Sequence, residues 1–400
     1  MNTIQPLKGF RDFLPAEAAK RKWLRDKLAG ICESWGFSPL ETPTLEPLEI
    51  FTGAIGEDEK LFFKFKDQGD RDVALRYDQT VPTCRVIAQY QNTLTFPFKR
   101  YQIQPAFRSE KPQKGRYREF TQVDADIFGV KTPDADAETI ALSLDIYKQL
   151  GFKRALVRIN SRALFNDMPY EAIVSIDKIK KIGDEGVLAE MSKKGITPEK
   201  AKEYLSYVKN LKPNEEIAFI LKYLKDYGFP DDWYEFDPTI ARSFSYSMGP
   251  IWEVEIPNDA GYNMSVLGGE RYDGLLQKLA GKDIGGTGFG LGFDRTLEAA
   301  EALSLTPTAN ATARVLVTVF DEKPLAITQE LRNAGIATDL YPGKEKLDKQ
   351  LKYADKMGIP YVIIQGPDEI KRNVVKLKNM ATKKQEELTI ENVINKLIAD

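Results

Sequence analysis

Residues 107–129 read FRSEKPQKGRYREFTQVDADIFG. Gln122, Asp124 and Asp126 stand at every other position, as do Arg100, Gln102 and Gln104 in the preceding run, with Arg108 continuing that set. Side chains alternate faces along a strand. An antiparallel hairpin therefore gathers these polar groups on one face and puts Tyr101, Ile103, Phe107, Val123, Ala125 and Ile127 on the other. The basic, glycine-containing loop 109–117 joins the two strands. The polar face is either solvated, which is common in antiparallel sheets, or a grip for a small zwitterion and a phosphate. Gln and Asp beside Arg, in place of Lys, Glu and Thr, suit the grip.

Two other segments could serve the same site. In LRYDQTVP, residues 75–82, a strand ends in a turn that presents Asp78 and Thr80. Asp78 suits a charge-assisted bond to an ammonium, and equally the N-cap of a helix beginning at Thr80. In GGTGFGLGFDR, residues 285–295, glycines crowd a strand that runs into a helix carrying Arg295. Repeated glycine in a strand implies close approach of a ligand or of another backbone. An arginine at that helix start can meet phosphate, but the segment lacks the lysine of a phosphate-binding P-loop.

The FR-x-E-x-PQKGRYR-x-F-x-Q core resembles motif 2 of class II aminoacyl-tRNA synthetases, in the form found in histidyl-tRNA synthetases. Residues 285–295 resemble motif 3 of that class, with Arg295 where the γ-phosphate arginine sits, and residues 37–49 resemble the end of motif 1, part of the class II dimer interface. LGGERYDGL, residues 267–275, is similar to the family's GGGRYDGL with Glu270 in place of a glycine. ARSFSYSMGPIWE, residues 241–253, lies where the histidyl family has ARGLDYYTG-x-x-FE. Arg242, Tyr246, Gly249 and Glu253 match it, whereas Ser243, Ser245, Ser247 and Met248 replace Gly, Asp, Tyr and Thr. The second family tyrosine helps bind the imidazole, so Ser247 departs from the pattern at the specificity end. Ser109 and Thr121 stand where the family often has histidine.

The resemblance covers nearly the whole chain and implies a histidine–tRNA ligase that uses ATP with Mg²⁺. It assigns Arg108 and Arg242 to the α-phosphate and Arg295 to the γ-phosphate, as the catalytic groups. Glu110 and Arg116 join Arg108 and Arg295 around ATP. Asp78, Thr80, Gln122, Asp126, Tyr246 and Ser247 hold the amino acid, with Asp126 on the imidazole N–H. Lys111, Gln113 and Arg118 are placed to touch the tRNA acceptor end, and Glu253 is a candidate partner of the metal. The implied partners are tRNA(His), histidine, ATP and a second copy of the chain. The alternatives are a non-catalytic paralogue that regulates histidine biosynthesis, or a class II synthetase for another amino acid.

Composition narrows the chemistry further. The chain of 400 residues has no histidine and two cysteines, Cys32 and Cys84, without metal-like spacing. Loss of histidine removes the commonest general acid/base and excludes Ser-His-Asp and Cys-His nucleophiles. Structural zinc, built mostly from Cys and His, is not expected. The reaction must run on carboxylates, arginines and a bound cation. A net charge of −2 gives no global basic field, so RNA contact must use local patches. No apolar run is long enough to span a membrane, and the first residues lack the apolar core of a signal peptide, so a cytoplasmic protein is expected.

The elements that must position these groups follow from periodicity. Helices are expected over 15–35 and 135–150, extended chain over 37–49, and strands over 61–65, 73–77, 155–159, 242–256 and 262–267. The Lys/Glu-rich stretch of about 170–230 reads as a helical insertion whose charges form a solvated face or meet tRNA. A small, polar linker over 302–312 separates a catalytic domain, 1–305, from residues 313–400. That last part alternates strand and helix, which implies a parallel-type sheet, and it resembles the anticodon-binding domain of histidyl, prolyl, threonyl and glycyl synthetases. The expected fold is thus α+β, an antiparallel class II sheet with flanking helices, followed by an α/β anticodon-binding domain.

Overall fold

The computed structural model describes residues 4–52, 61–112, 116–165, 168–242, 247–257, 265–281, 283–307, 312–320 and 324–399. The chain forms two compact units, one of Met1–Asp12 with Leu24–Thr306, the other of Phe13–Trp23 with Pro307–Asp400.

Helix α1 (Pro15–Ser34) opens with proline, whose missing N–H is an orphan in a first turn anyway. Leu24, Leu28 and Ile31 recur on one stripe and are buried. The expected extended stretch after it holds only β1 (Ser38–Pro39), β2 (Leu45–Pro47) and a short 3-10 turn. Pro39, Pro43 and Pro47 each remove a ladder donor, which keeps these strands short and at edges. Next come β3 (Lys64–Lys66) and β4 (Asp72–Leu75); β4 pairs with both β2 and β3 in a small antiparallel sheet. Helix α2 (Thr80–Tyr90) follows.

The hairpin is β5 (Phe98–Phe107) with β6 (Glu119–Phe128). Its register sets Arg100 opposite Asp126, Gln102 opposite Asp124 and Gln104 opposite Gln122, which puts these groups on one face as the alternation predicts. Then come α3 (Pro133–Gln149) and β7 (Leu156–Ser161), and the insertion of α4 (Tyr170–Ile176), α5 (Ile179–Lys193), α6 (Pro198–Lys209) and α7 (Glu215–Asp226). Thr197 and Asn214 cap α6 and α7 by accepting from Lys200 and Ile217 backbone N–H. Val187, Met191, Leu205 and Val208 give the first three of these helices a core shared with Phe165 and Ile251. Outside that core, Lys200 pairs with Glu203 and Lys222 with Asp226 along exposed helix faces.

Strands β8 (Tyr234–Phe236), β9 (Met248–Glu255) and β10 (Ser265–Arg271), helix α8 (Asp273–Ala280), strand β11 (Gly286–Gly292) and helix α9 (Phe293–Ala302) complete this unit. The main sheet runs β1-β5-β6-β11-β10-β9-β7-β8. It is antiparallel apart from its two edge pairs, β1 with β5 and β7 with β8, which are parallel. Helix α3 lies on the face away from the polar hairpin groups: Trp252 of β9 donates to Ser143 at 3.3 Å, and Arg271 of β10 meets Asp136 at 2.6 Å.

The second unit holds β12 (Val315–Val317), α10 (Leu325–Asn333), β13 (Thr338–Leu340), α11 (Leu347–Met357), β14 (Tyr361–Ile364), α12 (Pro367–Lys371), β15 (Val375–Asn379), β16 (Gln385–Leu388) and α13 (Ile390–Ala399). The sheet order is β13-β12-β14-β15-β16. The first three strands are parallel, as expected, but β15 and β16 add an antiparallel hairpin. Their sequences, VKLKN and QEEL, are short and charged, so alternation carries little signal there.

Candidate active site

Strands β6, β11 and β10 lie side by side and floor a cleft of about 800 Å³. Three rungs cross it. Gln122 faces Gly292, Asp124 faces Gly290 and then Gly268, and Asp126 faces Gly288 and then Glu270. Directly opposed residues on neighbouring strands point to the same side. The middle strand therefore offers only glycines on this face, between the polar row of β6 and Gly268 and Glu270 of β10. At Gly288 a Cβ would sit 2.1 Å from Asp126 Oδ1, and at Gly268 it would sit 2.0 Å from Arg242 Nη1. These two glycines make room for side chains that cross the floor.

One end of the cleft is cationic. Arg108, at the end of the hairpin, donates Nε–H to the Tyr77 carbonyl at 3.3 Å and lays its guanidinium over the Tyr77 and Phe120 rings, Cζ to centroid 4.2 and 5.0 Å. Arg116 pairs with Glu110 at 3.1 Å. Arg295, in the first turn of α9, donates to the Ser265 carbonyl at 3.0 Å. Burial lowers its pKa, and the charges of Arg116 and Arg108 lower it further. A half-buried guanidinium with two more cations beside it forms a sink for a polyanion. Lys111 also lines the cleft. Arg118 does not; it donates to the carbonyls of Glu110 at 3.1 Å and Lys8 at 3.3 Å. Gln113 lies outside the described residues.

The other end is carboxylate-rich and dry. Asp78 and Thr80 line it where β4 gives way to α2. Burial pushes the Asp78 carboxyl up to about 6, although the Val81 N–H donates to it at 3.2 Å and Arg108 stands nearby. Asp78 thus both accepts from the first turn of α2 and lines the cleft. Gln79 donates to the carbonyls of Gln104 and Gln122, both at 2.9 Å, and so ties the start of α2 to the hairpin.

The polar hairpin face is not solvated: Arg100, Gln102, Asp124 and Asp126 are all buried. Arg100 Nη2 lies 2.6 Å from Asp126 and 3.9 Å from Asp124, and Gln122 donates to Asp124 at 2.8 Å. Tyr272 donates its hydroxyl to Asp126. Burial raises both carboxyls, and Arg100 holds them down. Asp126 and Gln122 line the cleft while anchored from beneath.

Arg242 reaches over Gly268 toward Glu270 at 3.3 Å and Glu253 at 3.9 Å. Burial raises the Glu253 carboxyl and Arg242 opposes the shift, so Glu253 serves the arginine first. Among the described residues no group of three or more His, Cys, Asp or Glu could hold a metal ion. Ser247 does not line the cleft; its hydroxyl donates to Glu270. Tyr246 lies outside the described residues, as do Ser243 and Ser245.

Reasoning from the sequence singled out neither Arg100 nor Glu270 as a site residue. Arg100 was visible as the cation facing Asp126 across the hairpin. Glu270 was visible as a carboxylate inside a glycine run.

Comparison with known proteins agrees with this geometry. The family model for histidyl-tRNA synthetase matches residues 9–185, and that for the anticodon binding domain matches residues 312–400. The histidine–tRNA ligase of Cytophaga hutchinsonii is 35% identical over 450 aligned residues, covering 98% of each chain. That of Rhodopirellula baltica is 37% identical over 424, covering 96% of each. The crystal structure of histidyl-tRNA synthetase from Nostoc sp. PCC 7120 superposes with a TM-score of 0.84 at 27% identity, covering 100% of this chain and 99% of that one. The motif 2 hairpin, the glycine floor and the two-unit architecture thus have one common explanation: the chain belongs to the histidyl-tRNA synthetase family.

Proposed function

We infer that the chain is a histidine–tRNA ligase, which activates histidine with ATP to histidyl-adenylate and passes the histidyl group to tRNA(His). One observation carries this: one cleft is lined by arginines, among them Arg108, Arg116 and Arg295, and by buried carboxylates, among them Asp78 and Asp126, as an ATP and an amino acid require. An anticodon-binding domain follows in the same chain, which supports the ligase over a regulatory paralogue.

The substrate carboxylate is ionised at pH 7 and attacks the α-phosphorus of ATP directly, expelling pyrophosphate. No general base is needed, which suits a site without histidine. Catalysis then rests on in-line positioning and on charge already in place where the transition state becomes more anionic. Arg108 and Arg242 take the α-phosphate, and Arg295, with Arg116, the outer phosphates. Asp78 and Thr80 take the α-ammonium, Gln122 helps orient the amino acid, and Asp126 takes an imidazole N–H. Tyr246 is assigned to the same pocket. Lys111, Gln113 and Arg118 are assigned to the acceptor end of tRNA. Mg²⁺ arrives with the phosphates as part of the substrate and neutralises them; that ion usually keeps several waters and needs only one or two carboxylates from the protein. Glu253 is the cleft carboxylate beside Arg242.

The break between the two units near residues 306–307 supports a catalytic domain over 1–305, carrying the helical insertion, and an anticodon-binding domain over 313–400, although Phe13–Trp23 groups with the second unit. The active form is a homodimer, supported by the motif 1 resemblance of residues 37–49; light scattering should give twice the 45.2 kDa chain mass. The enzyme acts in the cytoplasm, and among the described residues no helix is long and apolar enough to cross a membrane.

Pyrophosphate exchange with each of the twenty amino acids tests the assignment. Histidine should support exchange and the others should not. A silent assay would favour the regulatory paralogue, and exchange with a different amino acid would reassign the specificity.

A further inference from the structure

We propose that Glu270 is a specificity-determining residue: it accepts a hydrogen bond from one ring nitrogen of the bound histidine while Asp126 accepts from the other. The proposal rests on the histidine–tRNA ligase assignment and names how that pocket reads its substrate.

Four observations carry it. Glu270 stands where the family's sequence has glycine, and it is only 7% exposed, so a buried charge has been added to the amino-acid end. It shares a rung with Asp126, the two separated only by Gly288, and all three line the cleft. Strand-mates two strands apart are roughly 10 Å apart in backbone. Asp126 reaches across from its own strand, its Oδ1 2.1 Å from where a Gly288 Cβ would lie, so its carboxyl stands nearer to Glu270 than the backbone spacing, on the same face of the sheet. Glu270 is also held: Arg242 donates to Oε1 at 3.3 Å and the Ser247 hydroxyl donates to Oε2. A carboxylate has about four acceptor sites, so two remain for a ligand. Finally, Ser247 occupies the place of the family tyrosine that helps bind the imidazole. A serine is too short to reach the ring from there, but it orients a carboxylate that can.

Two carboxylates facing one ring select a ring that donates from both nitrogens, which is the imidazolium. Neither a methylated nitrogen nor an apolar isostere can satisfy both, and a buried charge left without its donor penalises the misfit.

The test is steady-state pyrophosphate exchange, with Nτ-methylhistidine and Nπ-methylhistidine as competitors. In the wild type both should compete at least about ten-fold more weakly than histidine binds, each having lost one charge-assisted bond. A wild type that binds either isomer as well as histidine overturns the proposal, whatever the variants do. Glu270→Gln, which keeps shape and burial, should raise KM for histidine about ten-fold and leave KM for ATP unchanged. Glu270→Gly should narrow the gap between histidine and one methyl isomer only. Equal rises in both KM values would make Glu270 a mere holder of Arg242 and overturn the contact. Absence of histidine exchange in the wild type would overturn the ligase assignment itself; intact exchange indifferent to Glu270 overturns only this inference.

Discussion

The two ends of the cleft are built on different physical terms. At the cationic end, Arg108, Arg116 and Arg295 reach the cleft from the end of a strand, a loop and a helix start, anchored by stacking, a carbonyl or a single carboxylate. Their electrostatics are left unbalanced, ready for phosphate. At the carboxylate end, Asp126 is buried and locked by Arg100 and Tyr272, and Glu270 by Arg242 and Ser247. That end is held in place beforehand. Charge recognition needs excess field, whereas recognition of a small ring needs acceptors that cannot move. The same contrast separates their sequences: the cationic end follows the class II motifs closely, and the departures gather at the amino-acid end.

The largest expected effect is at the cationic end. Arg108→Ala should lower the exchange rate about a thousand-fold with circular dichroism unchanged, because the side chain serves the cleft and not the core. A near-normal rate would remove Arg108 from its role. Next is the floor between the ends. The methyl of Gly288→Ala would lie 2.1 Å from Asp126 Oδ1 and 2.5 Å from the Ala125 carbonyl. It should cost about a hundred-fold in kcat/KM for histidine, since a displacement near 1 Å is worth that much, with little change in KM for ATP. Asp126→Ala should raise KM for histidine by about ten-fold or more; matching losses for ATP would erase the distinction between the ends.

Asp78 gives a smaller, pH-dependent contrast. Its folded pKa is raised from 3.8 to about 6 by burial, so the folded state favours the protonated form. The stability this confers is complete below the unfolded value and is lost as pH rises through about 6. Asp78→Asn should therefore stabilise the protein at pH 8 by up to about 3 kcal/mol, a gain that shrinks toward pH 5 in urea titrations, while weakening histidine binding. A gain independent of pH would mean that the carboxylate is not strained. The smallest effect expected is for Ser109→His combined with Thr121→His, which should change exchange by less than about two-fold; a large gain would show that losing these family-like residues was costly.

Much of this site was legible beforehand. Alternation from Arg100 to Asp126 gave the hairpin and its polar face, because the two-residue strand period leaves one choice of face; the register came only with the structure. Asp78 and Arg295 were placed by the turn and the glycine strand around them. The parallel half of the second unit followed from its β-α rhythm, but β15 and β16 did not, since their charged alternation is too short to separate a strand from a loop. Residues 37–49 read as one extended run, yet three prolines left only fragments of strand.

The sequence by itself determined which residues share a face and which motifs supply arginine, glycine and carboxylate, because strand periodicity is local. Only the tertiary structure decided that the polar face is dry, since burial depends on what covers it. It alone set β11 between β6 and β10, strands far apart in the chain, so that Gly288 lies between Asp126 and Glu270 and leaves room for the Asp126 carboxyl to cross the floor.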